Sequence, residues 1–367
     1  MSLQTTQQRV TDLDGLRGWL ALWVVNAHVV QFALLRESFP GNALFGLLGN
    51  GELAVAVFVI LSGYVIGRQL RVAPEPYDVF ILRRFMRLYP VFLLCFAAGL
   101  AVYSNLPMFD GVKENLPDHA WLHVLMLHGA VPDTWLPSSS TAFLKPGWSV
   151  SLEWQFYLMA PFIALGLSLK RWRWGVLLGG AGLALLTGAL PLEWSKPSFV
   201  LLCLHLFLLG MLSDRWLSAV ERGRLPGDAA VRWAIVVAAG GAIALRDLPI
   251  ACWLVAMLML LPDTARAWGP VTTLWQGAMR NGLAQYLGRI SYSLYLCHYL
   301  VLELVAFLSA KYLGLVGPKA LPVLYLAALA CVPLSDLLFR TVEMPGIRLG
   351  KRLAAQRMAA PGPTALS

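Results

Sequence analysis

The sequence predicts an all-α, polytopic transmembrane helix bundle of about ten spans, with both termini in the cytoplasm. Three observations carry this. Of the 367 residues, 58% are apolar and only 13% charged, whereas soluble domains are about half apolar and about a quarter charged. Apolar stretches of about 17–23 residues recur along the chain, each long enough to cross a ~30 Å hydrocarbon core at about 1.5 Å per residue. Lys and Arg, finally, are unevenly divided between alternate connections, as they are in polytopic proteins.

The start, Met1 to Asp14, is polar, and no small-residue cleavage site follows the first apolar run. That run therefore reads as a retained helix and not as a signal peptide. The spans fall at 16–36, 45–67, 88–106, 148–168, 174–192, 198–214, 231–246, 248–263, 287–310 and 321–339. The longest connection, 107–147, contains the apolar stretch Trp121–Leu127, too short to cross and expected to lie at the interface or re-enter. A cytoplasmic N-terminus places about 22 of the 29 Lys and Arg residues on the inner side, Arg9 among them, and about seven outside, Lys113 among them. The net charge of +9 is thus mostly a topology signal and not the mark of a nucleic-acid partner. Three segments follow: a cytoplasmic N-terminal segment 1–14, a ten-helix transmembrane domain 15–345, and a basic, partly disordered cytoplasmic tail 346–367. No repeat or appended soluble domain is read.

The five cysteines, at 95, 203, 252, 297 and 331, lie in apolar runs without ligand spacing. They read as buried small hydrophobes, and neither a disulfide framework nor a zinc site is expected.

Ionisable groups inside spans are costly and are functional candidates by default. Arg17 and His28 stand eleven residues apart on one helix, so they share a stripe and differ in depth by about 16 Å. A cation near the inner mouth with an imidazole deeper along the stripe suits an anionic donor entering from the cytoplasm. A topogenic Arg and a hydrogen-bonded bundle His would give the same spacing. Asp14, three residues before Arg17, can pair with it or simply serve the helix N-terminus. RRFMRLYP (83–90) sets Arg83, Arg84 and Arg87 within a turn of one another. With Arg68 and Arg71 they form a cationic group suited to phosphates, or to ordinary anchoring.

WSVSLEWQFYLMAP (148–161) carries Glu153 inside a span, with Trp148, Trp154 and Tyr157 as markers of the outer interface. Glu153 is expected either to orient His28 or to bind acceptor hydroxyls. A protonated or snorkelling acid is the bland alternative. His298 lies at similar depth in a later span. His205 and His298 are, each alone, more often hydrogen-bonded core residues. His119, His123 and His128 belong to the outer connection, are expected to be solvated or interfacial, and do not make a metal site.

These residues fall in motifs that resemble those of the bacterial acyltransferase-3 family of membrane O-acyltransferases. They are LDGLRGWLALWVVNAH (13–28) with R-x10-H, AVFVILSGYVIG (56–67), RRFMRLYP (83–90) with R-x-x-R, WSVSLEWQFYLMAP (148–161), SYSLYLCHYLV (291–301) and VEMP (342–345). Six in order, nearly end to end, make the likeness specific. It implies acyl transfer, usually of acetyl from acetyl-coenzyme A or another acyl-coenzyme A, to a hydroxyl of a saccharide, glycolipid or glycoside at the bacterial inner membrane. It assigns catalytic roles to His28, Arg17 and Glu153, with Asp14 beside them, and His28 would act as a general base or as a transiently acylated relay. Arg84 and Arg87, with Arg83 and Arg68, fall on the donor side, and Trp148, Tyr157, His298 and Glu52 on the acceptor side. No metal cofactor is implied, and homodimerisation is compatible with such a bundle. The second span departs from the family's usual Gly-Val-Asp/Glu-Phe-Phe pattern, with Glu52 as the stand-in acid. The esterase-like domain fused to some members is not found in this sequence, so transfer would be completed by this domain or with a partner. The rival class is a transporter or channel using Arg17, His28 and Glu153 as a proton or anion path.

Overall fold

The computed structural model describes residues 3–106, 115–261 and 264–359, without the side chains of 3–10 and 265. Residues 360–367 of the 346–367 tail expected to be partly disordered, Lys113 and the side chain of Arg9 lie outside that description. Among the described residues the fold is all helical, with no strand.

The longer helices are α1 (Leu3–Phe32), α2 (Gly51–Val72), α3 (Tyr77–Asn105), α4 (Leu116–Val124) and α5 (Gly147–Ser168). They continue with α6 (Arg173–Ala189), α7 (Val200–Glu221), α8 (Ala229–Ala244), α9 (Leu248–Leu260) and α10 (Gly269–Arg280). The last three are α11 (Gly282–Leu313), α12 (Leu321–Leu338) and α13 (Met344–Ala359). Each of the ten expected spans falls on one of these helices. Five of them, α2, α3, α5, α7 and α11, are long and apolar enough to cross a membrane, as is the run from Gly317 to Ala359 that contains α12. The chain is a multi-pass membrane protein. The apolar helices α6, α8 and α9 are shorter. At about 1.5 Å per residue, α8 and α9 extend only about 24 and 20 Å, less than a ~30 Å core.

The described chain forms two compact units, the first of 1–68 and 206–331 and the second of 69–205 and 332–367. In the first, α1 lies against α11 at glycine-limited distance. A Cβ on Gly18 would stand 2.4 Å from the Ala284 carbonyl oxygen, and one on Gly288 would stand 2.1 Å from that of Asp14. Small residues let helix backbones meet closely, which is the main source of attraction where lipid competes for apolar contact. Val29 and Val30 of α1 and Ala33 just after it close the far end of the pair with Leu302 of α11 and Leu324 and Ala327 of α12. At the other end Arg280 grips the buried Asp12 through two bonds of 2.5 and 3.0 Å, and this raises the Arg280 pKa above its usual value.

In the second unit α13 lays Gly346 and Gly350 on Met86 of α3, and Arg357 bonds Asp78 at 3.0 Å. The helix expected inside Trp121–Leu127 begins earlier, at Leu116, and ends at Val124. It leaves Trp121 exposed and buries His119 and His123. Polar groups of α5 tie this connection down. Ser151 donates to the Met126 carbonyl at 2.8 Å and accepts from the Gly129 amide at 3.0 Å. Gln155, one turn on, donates to the Ser198 carbonyl and accepts from the Val200 amide. Four cysteines are buried, as expected, but Cys252 is exposed on α9, whose short barrel is covered on one side only.

Candidate functional site

The first unit brings together Asp14, Arg17, His28 and His298. Arg17 donates to Asp14 at 2.9 Å, so the acid is the partner of the cation. His28, eleven residues further along the same unbroken helix, places its Nδ1 2.9 Å from Nε2 of His298 on α11. His298 is fully buried, and its Nδ1 lies 3.0 Å from the Leu294 carbonyl oxygen one turn back. The Tyr299 ring meets His28 edge-on at 4.8 Å. The Gly18–Gly288 and His28–His298 contacts share one offset of 270 residues, so α1 and α11 run parallel and the glycine contact positions the histidine contact about three turns away. His298, grouped by the sequence with the acceptor side, is in this unit the ring partner of His28.

Tyr299 and the buried Glu303 escaped the sequence reading. Their signal was present: 295, 298, 299 and 303 recur at helical spacing, and a buried carboxylate in a span is itself a flag. Tyr295 packs on Phe58 of α2. Glu52 is exposed in the first turn of α2. Arg68 belongs to this unit, and Arg83, Arg84 and Arg87 to the other.

The second unit gathers Glu153, Tyr157 and Arg84. The Tyr157 hydroxyl donates to Glu153 Oε1, four residues away on one face of α5. The Arg84 guanidinium lies over the rings of Phe80 and Tyr157, 5.5 and 5.6 Å from their centroids, and donates to the Gln69 amide oxygen. Arg84 is only 9% exposed, and its Nε is buried without a hydrogen-bond partner. Arg83 turns instead to Glu75 at 2.7 Å. The expected cationic group is therefore differentiated into one arginine engaged by an acid, one clamped between rings, and half-buried Arg87. The guanidinium's planar, weakly hydrated face explains why it, and not an ammonium, can sit there. Trp148, Trp154 and Tyr157, expected to mark an interface, are buried. Trp154 sits against Phe85, and Tyr157 against Phe80.

His119, His123 and His128, in the 107–147 connection, are likewise buried, not solvated. The connection folds onto α3, so His123 and His128 stack face to face at 3.9 Å, flanked by Phe96 and Phe92. Desolvation lowers the pKa of His119, takes that of His123 to about 4, and places that of His128 well below the usual range. Asp118 and Asp133 act against that lowering at His119. Above about pH 6.5 both folded and unfolded forms of His123 are neutral. As pH falls towards 4 only the unfolded chain takes up the proton, so stability is lost across that window. His123 alone accounts for a loss on the order of 3 kcal/mol. Thermal unfolding in detergent is expected to show a markedly lower midpoint at pH 5 than at pH 7.5, with a smaller drop in His123→Phe. Equal drops in the two proteins would exclude His123 as the cause.

The acyltransferase-3 family model, an acyltransferase domain, matches residues 10–340. The acyltransferase MdmB of Streptomyces mycarofaciens is 28% identical over 94% of this chain and 93% of its own. BcsY of Komagataeibacter xylinus, which carries the name of a membrane-bound transacylase, is 29% identical over 80% of this chain and 73% of its own. Protein 2 in the picA locus of Rhizobium radiobacter is 29% identical over 47% of this chain and 85% of its own. No solved structure matches the chain. With a matched region that holds His28, Arg17, Arg84, Glu153 and His298 together, this chain belongs to the acyltransferase-3 family.

Proposed function

We propose that the chain is an O-acyltransferase that moves an acyl group, acetyl by resemblance to the family, from acyl-coenzyme A to a hydroxyl of a saccharide, glycolipid or glycoside. The observation that carries this reading is the His28–His298 pair at the α1–α11 interface, on the same helix as the Arg17–Asp14 pair. An imidazole held by a second imidazole is built to accept and release a proton. A proton or anion path would use the same polar residues, but it gives no reason for family membership.

The proposed reaction is direct. The acceptor oxygen attacks the thioester carbonyl while His28 takes the hydroxyl proton. Coenzyme A leaves as a thiolate and is then protonated by the histidine, which restores the neutral ring. Arg84 and Arg87 offer guanidinium groups to the phosphates of coenzyme A, Arg17 supplies charge along the donor's path, and Glu153 binds acceptor hydroxyls. No metal takes part.

The reading extends to topology. Parallel α1 and α11 require an odd number of crossings between them. The long helices α2, α3, α5 and α7 supply four, so one or all three of α6, α8 and α9 cross as well. With α12 last, the total is eight or ten. We propose that both ends lie on one side, the cytoplasmic side by the positive-inside bias, and, by resemblance to the family, in a bacterial inner membrane.

The test is acyl transfer from radiolabelled acetyl-coenzyme A in membranes containing the protein, with fractionation of labelled products and release of free thiol followed in parallel. Label in a glycan, glycolipid or glycoside fraction together with thiol release is expected. Neither signal with any acceptor class would overturn the reading. Tyr157→Phe keeps the ring over Arg84 but removes the donor to Glu153. A hydrogen bond to a charged group is worth about 1.5–3 kcal/mol, so the rate is expected to fall about ten- to a hundredfold. An unchanged rate would remove the Glu153–Tyr157 pair from the reaction.

A further inference from the structure

Two neutral imidazoles in contact can share one proton in two ways, and the backbone decides between them here. A carbonyl oxygen can only accept, so Nδ1 of His298, 3.0 Å from the Leu294 oxygen, must carry a proton. The opposite tautomer would set two lone pairs against each other in a fully buried place. With its proton on Nδ1, neutral His298 presents a lone pair at Nε2. That atom lies 2.9 Å from Nδ1 of His28, which must therefore be the donor. The neutral His28 ring is left with its lone pair on Nε2.

The chain of bonds is thus His28 Nδ1–H to His298 Nε2, and His298 Nδ1–H to Leu294 O. It begins at a carbonyl whose own place in α11 is fixed by the helix. The i to i−4 spacing of His298 and Leu294 supplies the first bond, and the glycine contact of α1 with α11 supplies the second. Tyr299, edge-on to His28 from the adjacent position on α11, restrains the ring on another side.

We infer that His298 is a positioning residue for the proposed transfer: it holds His28 in the tautomer whose Nε2 takes the proton from the acceptor hydroxyl. This rests on the reading of His28 as the base. When Nε2 accepts that proton, His28 becomes an imidazolium that still donates from Nδ1 to His298, so no bond in the chain has to break during the step.

Three variants and two readouts test it. His298→Leu removes the acceptor and is expected to lower kcat roughly 100-fold, within the range of a lost acid–base contribution, with KM for donor and acceptor within about twofold. His298→Gln can place its amide oxygen about where Nε2 stood and accept the same bond, so it is expected to recover most of kcat. Should the Leu variant fail to accumulate, His298→Asn, one methylene shorter, takes its place as the variant without the bond. Nitrogen-15 NMR of histidine-labelled protein in lipid reads the tautomer independently of turnover. His28 is expected with a protonated Nδ1 in the wild type and to lose that preference in His298→Leu. Unchanged kcat in His298→Leu, no advantage of Gln over Leu or Asn, or an Nε2-protonated His28 in the wild type would each overturn the inference. Retained transfer in His28→Ala would instead overturn the reading beneath it, so the two failures are separable.

Discussion

His28→Ala is expected to lower acyl transfer by roughly 10²–10⁴-fold, the range over which a positioned acid–base group contributes, while the protein still accumulates in the membrane. Position 28 lies inside α1, where alanine is the best helix former, so the backbone tolerates the change. The local cost is that His298 loses the donor to its buried Nε2, about 1–3 kcal/mol, which a bundle of this size can absorb. Binding of acetyl-coenzyme A should survive, because the residues proposed to meet its phosphates are on α3, not α1. The measurement is label transfer in membranes carrying wild type or variant at matched protein levels, with donor binding measured separately. Full turnover in the variant would sink His28 as the base. Lost turnover together with lost donor binding would instead make His28 part of the donor site.

Gly288→Val is the second large effect. Its Cβ would stand 2.1 Å from the Asp14 carbonyl oxygen, a backbone atom that cannot swing aside. The two helices must separate, and overpacking of this kind costs about 1–3 kcal/mol and occasionally more. The chemistry should suffer more than the fold, because widening the contact also draws His28 away from His298 and disturbs the segment holding Asp14 and Arg17. A cycle of Gly18→Ala and Gly288→Ala gives the sharper result. Each Cβ forces the same gap, so the double variant is expected to cost clearly less than the sum of the singles. Additive losses in unfolding midpoint would show that the two glycines do not share one contact.

Much of this molecule is legible without coordinates because a membrane leaves few options. Ten apolar runs in the sequence correspond to ten helices, since a chain in lipid must satisfy its backbone bonds within each segment. The pairing of Asp14 with Arg17 and the shared face of Glu153 and Tyr157 follow from helical spacing alone. Shortness in α8 and α9 is the point at which length ceases to decide whether a helix crosses. The 107–147 connection resisted reading for a different reason. His119, His123 and His128 look solvated in a polar loop, but their burial comes from a fold-back onto Phe92 and Phe96, and no local pattern announces it. Trp148 and Trp154 mislead in the same way, because an aromatic residue at an interface and one in a core carry the same one-dimensional signal.

By itself the sequence determined the class of the protein, ten of its helices, its family motifs and the stripe that carries Arg17 and His28. Each depends on composition or on spacing within one helix, where geometry is fixed at 3.6 residues per turn. Only the tertiary structure decided which polar residues meet beyond a single helix turn. It gave His28 a histidine 270 residues away, clamped Arg84 between two rings and turned Arg83 to Glu75. Arg83 reaches Glu75 just before α3 begins, whereas the His28–His298 and Arg84–Tyr157 partnerships come from contact between helices distant in sequence. In lipid that contact is set by where glycines let backbones approach, a property of two surfaces together that neither helix records alone.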